Sequence, residues 1–171
     1  MFTALCALVK AAIMRDMSGV GSGRIRISVP ARLAYRDAVG ALVHSVCIQL
    51  EQQRKARSGT ADEVLSAFNE AFNNLVKHGW KGREPGGADI EVELLPGKIV
   101  LRLMDRGAGF DPDHISAPDL SGVGSDVAEG GYGLFIMRSF MSEVQYQRGD
   151  GDQANVLTLV RNLDQDHGDV H

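Results

Sequence analysis

The sequence predicts a single domain that mixes helices with strands, and three observations carry that prediction. Its 171 residues fit one domain, and with 44% hydrophobic residues they can form a real core. Aromatic residues make up only 6% while glycines number 20. That balance suits an α/β domain with functional turns better than a tight all-β barrel. Hydrophobic periodicity also alternates along the chain between steps of two and steps of three to four, the signatures of strand and helix.

Residues 1–23 read as an N-terminal extension and linker. The opening MFTALCALVKAAIMR faintly resembles a signal peptide, but it lacks a basic start and Lys10 interrupts the apolar run. Met14 and Met17 are alternative starts, and no apolar run is long enough to span a bilayer. Ser18 to Gly23 is a flexible linker by composition, and neither GxGxxG nor the P-loop pattern fits anywhere in the chain. Arg24 to Val29 alternates charged or polar with apolar residues, the period of a half-buried strand, and Pro30 ends it.

A helix is expected from about Ala31 to Gln53, with Leu33, Val39, Leu42, Val43, Val46, Cys47 and Leu50 on its apolar side. His44 within it reads as a surface or internally satisfied residue rather than a ligand. After a charged break from Arg54, Thr60 or Asp62 can cap the next helix, and Thr60 with Glu63 fits a capping box. That helix is expected over Glu63 to Trp80. Val64, Leu65, Phe68, Phe72, Leu75 and Val76 form its apolar stripe. Glu70, Asn74 and His78 recur at steps of four and stack on another face. A carboxylate one turn from a carboxamide can take a proton or order a water while the amide oxygen meets Mg2+. A merely solvated polar face has the same spacing.

Gly79 is expected to end the helix in the left-handed conformation, ahead of a polar loop over Gly82 to Gly87. Asp89 to Leu95 and Ile99 to Met104 alternate as a hairpin around a Pro96-Gly97 type II turn. The hairpin ends at Asp105-Arg106-Gly107-Ala108-Gly109-Phe110. Residues 111–129 show no periodicity and are rich in Pro, Gly and acidic residues, and a loop of that length inside a domain is usually functional or disordered. Gly130-Gly131-Tyr132-Gly133 then runs into the apolar Leu134-Phe135-Ile136-Met137. Glycines feeding a helix start leave backbone N–H groups free for an anion, although a glycine-rich helix start without a ligand reads the same way. Val144 to Arg148 and Val156 to Val160 complete the strands, and residues 164–171 form a polar tail.

Charge and cysteine usage narrow the function. Residues 1–60 carry nine Lys/Arg against three acidic residues, and residues 61–171 carry nine against nineteen. No basic cluster with interleaved aromatics marks a nucleic-acid face, so no direct nucleic-acid partner is expected. An acidic domain that handles an anionic nucleotide needs a metal ion and backbone amides to offset repulsion. Cys6 and Cys47 are far apart with no CxxC, which suits a reducing compartment and offers zinc no ligand set. A cytoplasmic protein with no membrane association is expected.

Taken in order, a Glu…Asn helix, a hairpin ending in Asp-x-Gly-x-Gly, a long loop and Gly-Gly-x-Gly resemble the Bergerat-type (GHKL) ATP-binding fold. Gyrase B, heat-shock chaperone, histidine-kinase and mismatch-repair ATPases share that fold. More narrowly, the chain resembles the anti-sigma factor serine/threonine kinases of bacterial partner-switching systems. Asn69-Glu70-Ala71-Phe72-Asn73-Asn74 through His78-Gly79-Trp80 matches the family's N-box, Asp105 to Pro112 its first glycine box, and Glu129 to Met137 its second. The likeness covers residues 24–163, taken as the ATPase domain. It implies an α+β fold: a two-layer α/β sandwich whose mostly antiparallel mixed sheet is covered on one face by helices.

The resemblance also implies ATP and Mg2+ as cofactors and a set of roles. Asp105 would accept a hydrogen bond from the adenine amine, with Gly107 and Gly109 letting backbone pass close to the base. Asn74 would bind Mg2+, Gly131 and Gly133 would offer amides to the phosphates, and residues 111–130 would form a lid. His78, Leu134 and Thr158 complete the implied ATP-binding set. Glu70 would be the catalytic base toward the serine of a protein substrate. The implied partners are a STAS-type anti-anti-sigma protein, a sigma factor or other regulatory target, and a second copy of the chain in a homodimer. One departure weighs against catalysis: no Lys or Arg lies between Arg106 and Arg138 to steady the γ-phosphate, leaving Lys77, Lys81 or Arg83 as substitutes. Two alternatives are a non-catalytic, nucleotide-gated module that sequesters a partner and an unrelated α/β domain with coincidental glycines.

Overall fold

The computed structural model describes residues 23–53, 55–80, 84, 86–109, 131–150 and 153–163. The expected N-terminal extension, lid and polar tail lie outside the described residues, as do Lys81, Arg83 and most of the loop after Trp80.

Among the described residues five strands form one sheet: β1 (Gly23–Pro30), β2 (Gly87–Leu95), β3 (Lys98–Asp105), β4 (Glu143–Gln147) and β5 (Asn155–Asn162). Their order is β1-β2-β3-β5-β4. Every pairing is antiparallel, so the mixed character expected of the sheet is not found among the described strands. The β2–β3 hairpin turns at Pro96-Gly97, where Gly97 takes the positive φ of 71° that a type II turn requires. Because side chains alternate across a strand, the register assigns each residue to a face. Ile25, Val92, Leu101 and Leu159 share one row on the core face.

The helices α1 (Arg36–Gln52), α2 (Thr60–Asn74) and α3 (Gly131–Phe140) bury their apolar sides with that face. Val43 and Val46 from α1, Phe68 and Phe72 from α2, and Met137 from α3 are fully buried in one core with Ile90, Leu101 and Leu103 of the sheet. Gly40 lets α1 approach α2 closely, since a Cβ there would meet Leu65 Cδ1 at 3.0 Å.

The opposite face carries Arg24 and Arg26 from β1, Glu91 and Glu93 from β2, and Arg102 from β3. Arg26 and Arg102 hold Glu91 at 2.8 and 2.9 Å, and Arg24 and Arg102 hold Glu93 at 2.7 Å each. Burial alone would lift the Glu91 carboxyl, but the hydrogen bonds from Arg26 and Arg102 and the charges of Arg24 and Arg26 outweigh it and hold the group below its usual range.

Several local expectations are corrected. The first helix is preceded by a 3-10 turn over Leu33–Tyr35, and Leu33 is 45% exposed instead of joining the apolar side. Next, α2 starts at Thr60 behind Gly59, whose φ is 89°, and the Thr60–Glu63 capping box does not form. Glu63 is drawn instead to Arg57 at 2.5 Å and Arg161 at 3.1 Å, while Glu51 of α1 accepts from the Ala61 N–H at 2.7 Å. Beyond Asn74 the helix widens into a π turn over Leu75–Gly79, and Gly79 is not left-handed. His44 is half-buried and meets Asp62 at 3.1 Å, a satisfied residue.

Candidate functional site

The N-box helix links two clusters of polar groups, one at the phosphate end and one at the base end expected of the site. The first lies where α2 meets the start of α3. Glu70 and Asn74 are one turn apart on α2, as their spacing requires. Gly133, in the first turn of α3, lies against both. A Cβ at Gly133 would sit 2.8 Å from Glu70 Oε2, 3.5 Å from Asn74 Nδ2 and 3.7 Å from Asn74 Oδ1. The glycine is therefore what lets the α3 N-terminus, whose first N–H groups have no partner within the helix, come down over the carboxylate and the carboxamide. Asn74 is 9% exposed, and among the described residues no hydrogen bond or ion pair engages the Glu70 or Asn74 side chain. A buried amide oxygen beside a carboxylate suits Mg2+, which takes one or two protein oxygens and completes its shell from phosphate and water. Among the described residues there is no cluster of three or more His, Cys, Asp or Glu.

The second cluster lies where the π turn meets the end of β3. Asp105 is 6% exposed, and its Oδ1 accepts the Gly107 N–H at 2.7 Å. Backbone crowding is tight here. The Ala108 N–H donates to the Gly79 carbonyl at 2.6 Å, and a Cβ at Gly107 would overlap that carbonyl oxygen. A Cβ at Gly79 would press on Asp105 Oδ1 at 3.2 Å. Gly109 has φ 74°, and a Cβ there would lie 2.5 Å from Tyr146 Oη and 3.0 Å from Asn155 Oδ1. Three glycines thus bring the π turn, the end of β3 and the β4–β5 pair together around one carboxylate.

Asn155 was not among the residues singled out from the sequence. It is 4% exposed and pairs in register with Asp105. Its Nδ2 donates to Asp105 Oδ1 at 3.1 Å and to the Gly107 carbonyl at 3.2 Å, while its Oδ1 accepts the Gly149 N–H at 3.0 Å. Thr158, the residue expected here, faces the other side of the sheet opposite Arg102 and Gln145. It lies three residues beyond Asn155, and an odd step along a strand changes face. His78 also leaves the expected arrangement: it is exposed, because the π turn breaks the four-residue column below Asn74. Leu134 is buried in the core, leaving only its backbone to serve a ligand. Gly131 opens α3, two residues before Gly133.

Comparison with known proteins places this geometry in context. A family model described as a histidine kinase-like ATPase domain matches residues 29–161. The serine/threonine-protein kinase BtrW of Bordetella bronchiseptica is 36% identical over 92 residues, covering 54% of this chain and 63% of that protein. The anti-sigma F factor of Clostridium beijerinckii is 30% identical, covering 53% of this chain and 64% of that protein. The serine-protein kinase RsbW of Bacillus pumilus is 25% identical over 149 residues, covering 84% of this chain and 90% of that protein. The chain thus spans less than two thirds of the length of BtrW and of the anti-sigma F factor.

Proposed function

The chain belongs to the histidine kinase-like ATPase domain family, and from that premise we propose that it is an ATP-binding anti-sigma regulatory factor with serine/threonine protein kinase activity. Its substrate is a STAS-type anti-anti-sigma protein, its other partner a sigma factor or another regulatory target, and it works as a cytoplasmic homodimer. The observation that carries this reading is the position of Gly133 against Glu70 and Asn74, at the opposite end of the N-box helix from Asp105 and Gly107. The names of BtrW and RsbW support it, since both are given as kinases.

In this reading the base lies against Asp105 and the polyphosphate lies under the α3 N-terminus. Asn74 would hold Mg2+, which supplies charge neutralisation to the phosphates when bound. Among the described residues Glu70 has no ion-pair partner, and in this reading it takes the proton. The partner's serine hydroxyl oxygen bonds to the γ-phosphorus, the bond to the bridging oxygen breaks, and ADP leaves. The hydroxyl proton passes to Glu70.

Purified chain mixed with Mg-ATP and the STAS-type partner should label a partner serine. Glu70→Ala should slow labelling by roughly 10²-fold or more while ATP still binds. Labelling at the wild-type rate by that variant would remove Glu70 from the mechanism. The absence of Lys and Arg between Arg106 and Arg138 favours one rival, a nucleotide-gated sequestering module. That module would show an ATP-induced rise in melting temperature with no transfer to any partner.

A further inference from the structure

We propose that Asn155 sets base selectivity as a positioning residue: it occupies Asp105 Oδ1 so that only Oδ2 remains to accept from a purine. This rests on the reading of Asp105 as the residue that meets the base.

A carboxylate offers two oxygens and about four lone-pair sites. Left unconstrained, it is a good acceptor for two parallel donors. Guanine presents such a pair in its N1–H and 2-amino group, whereas adenine presents a single 6-amino group beside an acceptor nitrogen. A free aspartate in a base pocket therefore has an intrinsic route to guanine. In this chain Oδ1 takes both the Gly107 N–H at 2.7 Å and the Asn155 amide at 3.1 Å, and no described residue donates to Oδ2. The two-pronged mode is blocked, and the one-donor mode that suits adenine remains.

Asn155 is itself held in place. Its second amide hydrogen goes to the Gly107 carbonyl, and its oxygen takes the Gly149 N–H. These bonds fix which end of the side chain faces Asp105, because the end toward Gly149 must accept and the end toward the Gly107 carbonyl must donate. The carboxylate is thereby locked against rotation about a torsion that is otherwise broad and nearly two-fold. The same amide ties the β3 end to the segment after β4, so the two walls of the pocket move as one.

The test compares dissociation constants for ATP, GTP and purine riboside triphosphate, which lacks the 6-amino group, in wild type, Asn155→Ala and Asn155→Asp. Wild type should prefer ATP over both analogues. In each variant the ATP:GTP preference should fall by about tenfold or more, and the ATP:purine-riboside preference should shrink with it. Asn155→Ala added to Asp105→Ala should leave the ratios of the single Asp105 variant unchanged. Equal weakening of all three nucleotides would make Asn155 a merely structural residue and overturn the proposal. So would loss of cooperative melting in both Asn155 variants. If wild type binds no nucleotide at all, the nucleotide-binding reading fails with it. If wild type binds ATP and its ratios survive both substitutions, only this proposal fails.

Discussion

Gly133→Ala separates the phosphate-end chemistry from the fold. The new Cβ would lie 2.8 Å from Glu70 Oε2, but 3.5 and 3.7 Å from the amide atoms of Asn74. Ordinary carbon–oxygen contacts begin near about 3.3 Å, so Glu70 must retreat by roughly 0.5 Å while Asn74 need not move. The Glu70 carboxylate ends a flexible side chain, so its retreat costs the fold little. Replacing a helical glycine with alanine meanwhile favours α3 by up to about 1 kcal/mol. Thermal stability should therefore be unchanged or slightly higher. A displacement of about 1 Å in a catalytic group can cost roughly 10²-fold, so half of that should slow phosphotransfer about tenfold. ATP affinity, which in the proposed reading draws on Asn74 and Asp105, should change by less than about threefold. The assay is single-turnover transfer to the proposed STAS-type partner at saturating Mg-ATP. Binding can be followed through Trp80, the only tryptophan of the chain and the neighbour of Gly79. Transfer at the wild-type rate in a protein with wild-type melting would refute the placement of Glu70 at the reacting centre.

Gly107→Ala should instead strike the fold, because its Cβ meets the Gly79 carbonyl, which cannot swing aside. Overpacking together with loss of the Ala108–Gly79 hydrogen bond should destabilise by about 2–4 kcal/mol in denaturant melts, and a change under about 0.5 kcal/mol would show the cradle to be compliant. Glu91 has its carboxyl held low, so the folded state binds fewer protons than the unfolded state below the unfolded value of about 4.3. Its contribution is complete above that value and lost as pH falls through the depressed folded value. Glu91→Gln should therefore lower stability by about 1–3 kcal/mol at pH 7 and flatten its acid dependence, and an unchanged slope between pH 5 and 3 would count against the pairing of Glu91 with Arg26 and Arg102. Burial, with a smaller push from Glu51, raises the Cys47 thiol to about 12. In a Cys6→Ser background, Cys47 should resist thiol reagents at pH 8 until the protein unfolds, and labelling of the native protein as fast as of a free thiol would contradict its burial.

How much of this was legible in the sequence depended on whether a residue's partner lies near it in the chain. Glu70 and Asn74 meet because four residues make one helical turn, which is readable without any tertiary knowledge. The alternation of Arg24 and Arg26, and of Glu91 and Glu93, likewise marked one face of two strands, although the pairing of β1 with β2 was not readable. His78 was misplaced because nothing in Leu75 to Gly79 announces a π turn; the turn is imposed where Gly79 must meet Ala108. Asn155 was passed over for Thr158 because the face of a strand residue depends on register, and the register of β5 is set by β3, fifty residues earlier. An asparagine opening an apolar strand was the available signal, for a buried amide must find partners.

The π turn explains how one helix serves both ends of the site. From Glu70 to Gly79 the chain advances nine residues, or about 13 Å at the α-helical rise, comparable to an extended nucleoside triphosphate. The residues at the two ends face different demands. Glu70 and Asn74 must point at α3, while Gly79 must turn its carbonyl to Ala108 and its bare Cα to Asp105. An unbroken α-helix fixes the angle between those directions, and the wider π turn changes it without breaking the buried run that ends in Leu75. The cost is the alignment of His78 with Asn74, which is why the column read from the sequence stops at two residues. The start of α2 is held by Glu51 at Ala61, and by Glu63, which meets Arg57 and Arg161. Arg161 also donates to the Phe140 carbonyl at the end of α3. The helices bearing Glu70 and Gly133 are therefore tied to each other at a point away from their contact at Gly133. Their contact at Gly133 can then stay within the few tenths of an ångström that the proposed role of Glu70 as base requires.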